Sequence, residues 1–164
     1  NVYLKPTAII SRDSYDSILQ ADKVVLGPGD LYTSIIPNLL VNGVKEILKE
    51  SKAKKIYVCN LMTKYGETNG FCVSDFVSEI EKYVGNDVLD FVVYNESNYD
   101  KKLLEKYKEE NAYPVRADNE NFNKFKAEFK SGSFVREPVL IRHDSEKLAS
   151  FIMGLWFLLK YNNA

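Results

Sequence analysis

Three segments of this chain hold side chains whose types and spacing suit chemistry. The first is Gly27-Pro28-Gly29-Asp30-Leu31-Tyr32-Thr33-Ser34, set between the apolar run Lys23-Val24-Val25-Leu26 and a helix-like stretch. Gly27 and Gly29 let the backbone turn and approach a ligand, and Thr33 and Ser34 place hydroxyls beside amides that a helix start leaves unpartnered. That pattern suits phosphate or carboxylate. The same residues equally suit a plain tight turn in which Thr33 or Ser34 caps the helix.

The second segment is Asn60-Leu61-Met62-Thr63-Lys64-Tyr65-Gly66-Glu67-Thr68-Asn69-Gly70-Phe71. Asn60 and Thr63 can donate and accept, Glu67 can accept from a sugar hydroxyl, and Met62 can pack on an apolar ring face. A loop stitched by its own side chains is the alternative, but loops of this length in compact domains are usually functional. The third segment is Arg142-His143-Asp144. The Arg142 guanidinium is a planar fork of donors able to hold a pyrophosphate at two points. Asp144 reads as a helix N-cap, and His143 as a ligand contact or a hydrogen-bonded structural residue.

Each segment directly follows an expected strand: Lys23–Leu26, Lys55–Asn60 and Pro138–Ile141. Their short β-branched runs lack alternation, the pattern of strands covered on both faces. A further strand is expected over Val88–Tyr94, with a short one at Val2-Tyr3-Leu4 and a brief edge strand at Tyr113-Pro114-Val115. Between them lie expected helices: a small one around Ser14, Tyr15, Ile18 and Leu19, then one from Ser34 to Val41, then one carrying Val44, Ile47 and Leu48. Val73, Phe76, Val77, Ile80 and Val84 fall on one helical face. The charged stretch Asp100–Glu110, with the stripe Leu103, Leu104 and Tyr107, predicts a surface helix, and another runs from about Ser145 to Tyr161. Ala117–Ser133 has no clear pattern. Strand-helix alternation of this kind predicts a Rossmann-like three-layer α/β/α fold on a mostly parallel sheet, in which ligands sit at the carboxyl ends of strands.

The chain has 164 residues, 45% of them hydrophobic, enough for one domain with a sizeable core. Twenty-two basic against twenty-three acidic side chains argue against nucleic acid as a partner. Leu148–Leu159 is too short to insert in a membrane, and Cys59 and Cys72 form no CxxC, so a reduced, cytoplasmic protein is expected. GxSxG and HExxH are absent, which argues against covalent and zinc chemistry. Asp30 and Glu67 could hold a Mg²⁺ that rides on a bound diphosphate.

Taken together and in order, the Gly27–Val41 segment, Asn60-Leu61-Met62-Thr63 with Gly66-Glu67-Thr68, and Arg142-His143-Asp144 resemble the bacterial gluconeogenesis-factor (YvcK-like) family. That family shares a superfamily with the 2-phospho-L-lactate transferases (CofD-like). The resemblance spans nearly the whole chain. It implies a Rossmann-like fold, a cytoplasmic location, binding of UDP-sugars such as UDP-N-acetylglucosamine, and a role in central carbon metabolism and cell shape. A phospholactyl transferase-like reaction is the alternative from the other branch, and an interaction fragment without a ligand is a third. The implied ligand-facing residues are Gly27, Pro28, Gly29, Asp30, Tyr32, Thr33, Ser34, Asn60, Met62, Thr63, Gly66, Glu67, Thr68, Arg142 and His143.

The chain departs from the family pattern at three places: Asp30 stands where serine is usual, Lys64-Tyr65 where Gln-Pro is usual, and Phe76 where histidine is usual. A carboxylate at position 30 would repel a diphosphate unless it points away, a metal intervenes, or affinity is weakened. By the same resemblance residues 1–164 correspond to the carboxyl-terminal half of the family domain. The glycine-rich first unit is not among them, which leaves a sheet edge for a homo-oligomer or for association with that other half.

Overall fold

The computed structural model describes residues 2–136 and 140–161. Four strands, β1 (Lys23–Leu26), β2 (Lys54–Val58), β3 (Phe91–Asn95) and β4 (Glu128–Gly132), form one sheet in chain order with every pairing parallel. Sequential parallel neighbours require crossovers, and helices supply most of them. They are α1 (Arg12–Gln20) ahead of the sheet, then α2 (Ile36–Leu39), α3 (Val44–Glu50), α4 (Val73–Val84), α5 (Lys101–Glu109) and α6 (Ser145–Tyr161).

The side-chain period of two divides each central strand between two apolar layers. Tyr57 of β2, Cys59 just past it, and Val92 and Tyr94 of β3 join Leu31, Ile36 and the α4 stripe Val73, Phe76, Val77, Ile80 and Val84 on one face. On the other face Ile56, Val58, Phe91 and Val93 pack against Leu148 and Leu155 of α6, with Phe134 closing the end. The expected three-layer α/β/α arrangement is therefore present. β1 lies at the sheet margin, where Val25 is 44% exposed.

Several elements differ from the sequence expectation. Val2–Leu4 pairs with no strand; the amino-terminal segment instead bridges Ile9 to Asn42. Tyr113–Val115 contributes only the isolated bridge of Pro114 to Met62. The patternless stretch holds β4, which shows little periodicity because its Glu128 and Lys130 pair in solvent while Phe129 alone enters the core. Pro138 and Val139 of the expected last strand lie outside the described residues. Ile141 is not in a strand: Arg142–His143 is itself β6, paired antiparallel with β5 (Val135–Arg136).

Candidate functional site

Parallel register decides what meets at the carboxyl edge of the sheet. Leu26, the last residue of β1, is level with Tyr57 of β2, so the chain leaves β1 at Gly27 beside the segment that leaves β2 toward Asn60. Gly27 has φ +83°, and a Cβ placed there would stand 3.0 Å from the Val58 carbonyl oxygen. Only glycine makes this exit without strain. Leu31–Ile35 then forms a single π-helical turn that runs directly into α2, with the amides of both Ser34 and Ile35 donating to the Asp30 carbonyl. Such turns are frequent at functional sites.

The β5–β6 hairpin returns Arg142 and His143 to the same edge. The His143 ring is hydrogen-bonded to the backbone of Cys59, just past β2, and burial holds its pKa below the usual histidine value against that bond, so the ring is neutral at pH 7. Asp144 caps α6 as expected: its carboxylate accepts from the Lys147 amide at 3.1 Å, and its own amide donates to the Phe134 carbonyl at 2.6 Å.

The result is a cleft of about 540 Å³. The glycine turn contributes Pro28, Gly29 and Asp30, the second loop contributes Asn60, Leu61 and Met62, and the hairpin side contributes Ile141, Arg142 and His143. Helix α5 adds Tyr107, whose hydroxyl accepts from the Ile141 amide at 3.0 Å and so fixes the approach to Arg142. Arg142 is exposed at the rim. Asn60 Oδ1 is buried with no hydrogen-bond partner among the described residues. A buried acceptor left unpaired costs about 1–3 kcal/mol, which makes it a natural place for a ligand donor.

Other residues proposed from the sequence do not line this cleft. Thr63 Oγ1 accepts from the Tyr113 amide and Thr68 Oγ1 from the Lys64 amide, both at 2.9 Å, so these buried threonines stitch the loop internally. Tyr32 turns toward α4, where burial and the neighbouring Glu79 carboxylate push its pKa up to about 12. Thr33 and Ser34 are exposed, and neither caps a helix. Gly27 and Gly66 shape their turns with φ of +83° and +79° without lining the space. Phe76 is fully buried in the core.

Glu67 stands beside the cleft rather than in it. Its Oε1 lies 2.8 Å from Lys64 Nζ, and the same ammonium holds Asp30 Oδ2. Two of the three departures from the family pattern therefore meet: the carboxylate at 30 is answered by the lysine at 64. Because Asp30 and Glu67 converge on an ammonium, a Mg²⁺ at this pair would have to displace Lys64. No group of three His, Cys, Asp or Glu suited to a metal occurs among the described residues.

Tyr107, Leu61 and Ile141 were missed as cleft residues because each reads as ordinary apolar sequence. Arg136 does not line the cleft but pairs with Arg142 across the hairpin. Register sets it opposite Arg142, so both leave the hairpin on one face. Only the pairing of residues 135–136 with 142–143 reveals that, and like charges directly opposite on a strand pair are destabilising.

Comparison with known proteins shows the family and the fold. The sequence model of the family described as 2-phospho-L-lactate transferase CofD matches residues 1–135. A Thermotoga maritima relative is 46% identical over 149 residues, which cover 84% of this chain and 45% of the relative. The gluconeogenesis factor of Bacillus subtilis is 36% identical over 156 residues, covering 94% of this chain and 49% of that protein. The crystal structure of a UPF0052 family protein from Bacillus halodurans superposes with a TM-score of 0.88 at 36% identity, covering 92% of this chain and 49% of that one. The chain thus spans about half the length of these relatives. The chain belongs to the CofD family, on the side of its gluconeogenesis factors.

Proposed function

We propose that the cleft binds a nucleotide-sugar of the UDP-N-acetylglucosamine type, and that the protein acts in the cytoplasm as a regulator of gluconeogenic carbon metabolism and cell shape rather than as a catalyst. One observation carries the reading. At the carboxyl edge of a parallel sheet, a glycine turn, an unpaired buried Asn60 Oδ1 and the Arg142 guanidinium line a single cleft. Arg142 suits the diphosphate, Asn60 a sugar or base donor, and Met62 with Tyr107 an apolar ring face. The Cys59 thiol near the cleft is poorly suited to covalent catalysis: it is fully buried, and burial pushes it up to about 12. No helix among the described residues is long and apolar enough to cross a membrane, which is compatible with the cytoplasmic reading.

The test is thermal unfolding with and without UDP-N-acetylglucosamine. Ligand at ~100 times its Kd adds about 2.7 kcal/mol and raises the midpoint; an unchanged midpoint at millimolar ligand sinks the reading. The family model's description favours a second one, transfer of a phospholactyl-type group. Product formed from a lactyl diphosphonucleoside and a deazaflavin acceptor would select it.

A further inference from the structure

Asp30 sets a problem for any anionic ligand. It lines the cleft, at the start of a helical segment whose first amides and dipole favour negative charge. A carboxylate in that place either repels the incoming anion or folds onto the amides itself, since aspartate at an N-cap position commonly accepts from them. Here it does not fold back onto the amides. Asp30 makes no side-chain cap bond and is instead bound to Lys64.

Lys64 is well placed for this. It lies outside the cleft lining, on the loop that follows Asn60, and its ammonium bridges Asp30 of the glycine turn and Glu67 of its own loop. Both contacts favour the charged ammonium, and its pKa is raised accordingly. Thr68, packed in the interior, fixes the Lys64 backbone from below through the bond to its amide. The lysine is thus held at a set position from which it reaches across to the turn.

We propose that Lys64 is a positioning residue that keeps the cleft competent for anions: it pairs with Asp30 and offsets its charge, holds its carboxylate off the helix start, and ties the Asn60 loop to the glycine turn. The proposal rests on the nucleotide-sugar reading for its ligand, but the tie is a property of the free protein. Removing the ammonium would leave a bare carboxylate at the mouth of the site. That repulsion is expected to weaken an anion's binding about five- to tenfold.

The experiment uses the full chain and three variants, Lys64→Gln, Asp30→Ser and the double variant, each checked for folding by circular dichroism. Calorimetric titration with UDP-N-acetylglucosamine should show Lys64→Gln weakened about five- to tenfold and the double variant restored to within about twofold of the parent. A Lys64→Gln affinity equal to the parent's, or a double variant as weak as Lys64→Gln, overturns the proposal. Hydrogen exchange on the ligand-free proteins reads the tie without any ligand. Exchange over residues 61–68 should rise in both single variants, and unchanged protection in Lys64→Gln overturns the tie. A parent that binds no nucleotide-sugar refutes the ligand reading, while the exchange result still decides the role of Lys64.

Discussion

Replacing Gly27 by alanine probes the corner on which the site depends. Gly27 sits at φ +83°, where an L side chain costs about 1–2 kcal/mol, and its new Cβ would stand 3.0 Å from the Val58 carbonyl oxygen. That oxygen cannot retreat cheaply. Val58 is 1% exposed and level with Val93 of β3, and the next amide, Cys59, donates to the Val93 carbonyl at 2.8 Å. Overpacking against rigid backbone adds about 1–2 kcal/mol, for a total near 2–4 kcal/mol. Gly66 supplies the control: its φ is +79°, yet nothing lies within 4 Å of its Cβ position, so Gly66→Ala should lose only the conformational part. Urea denaturation of both variants gives the difference, expected at about 1–2 kcal/mol with unchanged m-values. In a domain of this size the midpoint should fall by about 5–15 °C for Gly27→Ala and about 2–6 °C for Gly66→Ala. Equal losses at the two glycines would refute the argument that the exit from β1 is limited by the Val58 carbonyl.

Further outcomes follow from the same structure. Arg142→Ala should weaken UDP-N-acetylglucosamine binding about tenfold or more by calorimetry, since a charge-assisted pair to phosphate is lost; unchanged affinity would remove the guanidinium from the site. Asp118 accepts from the Ser74 amide at 3.1 Å, from the Ser74 hydroxyl and from Asn121, and joins the stretch before β4 to α4. Asp118→Ala should cost about 2–4 kcal/mol in urea, because it strands two donors of Ser74. Burial raises the Asp118 pKa but those bonds outweigh it, leaving the group below its ordinary 3.8; its contribution is therefore full above that value and is lost as pH falls through the lower folded pKa. His143 is held below its ordinary 6.5, so its contribution is present above pH 6.5 and declines as pH falls, when the unfolded chain takes up the proton first. His143→Gln should flatten the stability profile between pH 7 and 5, and an unaltered slope would count against the buried neutral ring. The margin at β1, with Val25 exposed, should support self-association. A sedimentation coefficient independent of concentration would exclude that.

The unbroken β-branched runs and the α4 stripe were legible in the sequence because burial on both faces of a strand, or on one face of a helix, writes a pattern into the chain. The expected strands Lys23–Leu26, Lys55–Asn60 and Val88–Tyr94 overlap β1, β2 and β3, and the expected stripe is α4. β4 was illegible because an edge strand with one wet face carries Glu128, Lys130 and Ser131 as readily as a loop does. The hairpin of β5 and β6 was hidden for another reason: two-residue strands have no period to read.

The site divides in the same way. Sequence sufficed to locate the first two segments just past β1 and β2, since the apolar runs and the glycines that follow them are local; the third, Arg142-His143, is itself a strand of the small hairpin. Which side chains in those segments face the cleft is not local. Thr63, Thr68 and Tyr32 had the right chemistry but were recruited by Tyr113, Lys64 and Glu79, while Tyr107 entered the cleft from a helix that reads as mere surface. Asp30, a mismatch with an anion when taken singly, gains its ion pair with Lys64 only when the register of β1 with β2 brings the two loops side by side. A sequence encodes the donors and charges along a line; distance across that line is set by the fold, and both hydrogen bonds and ion pairs depend on distance.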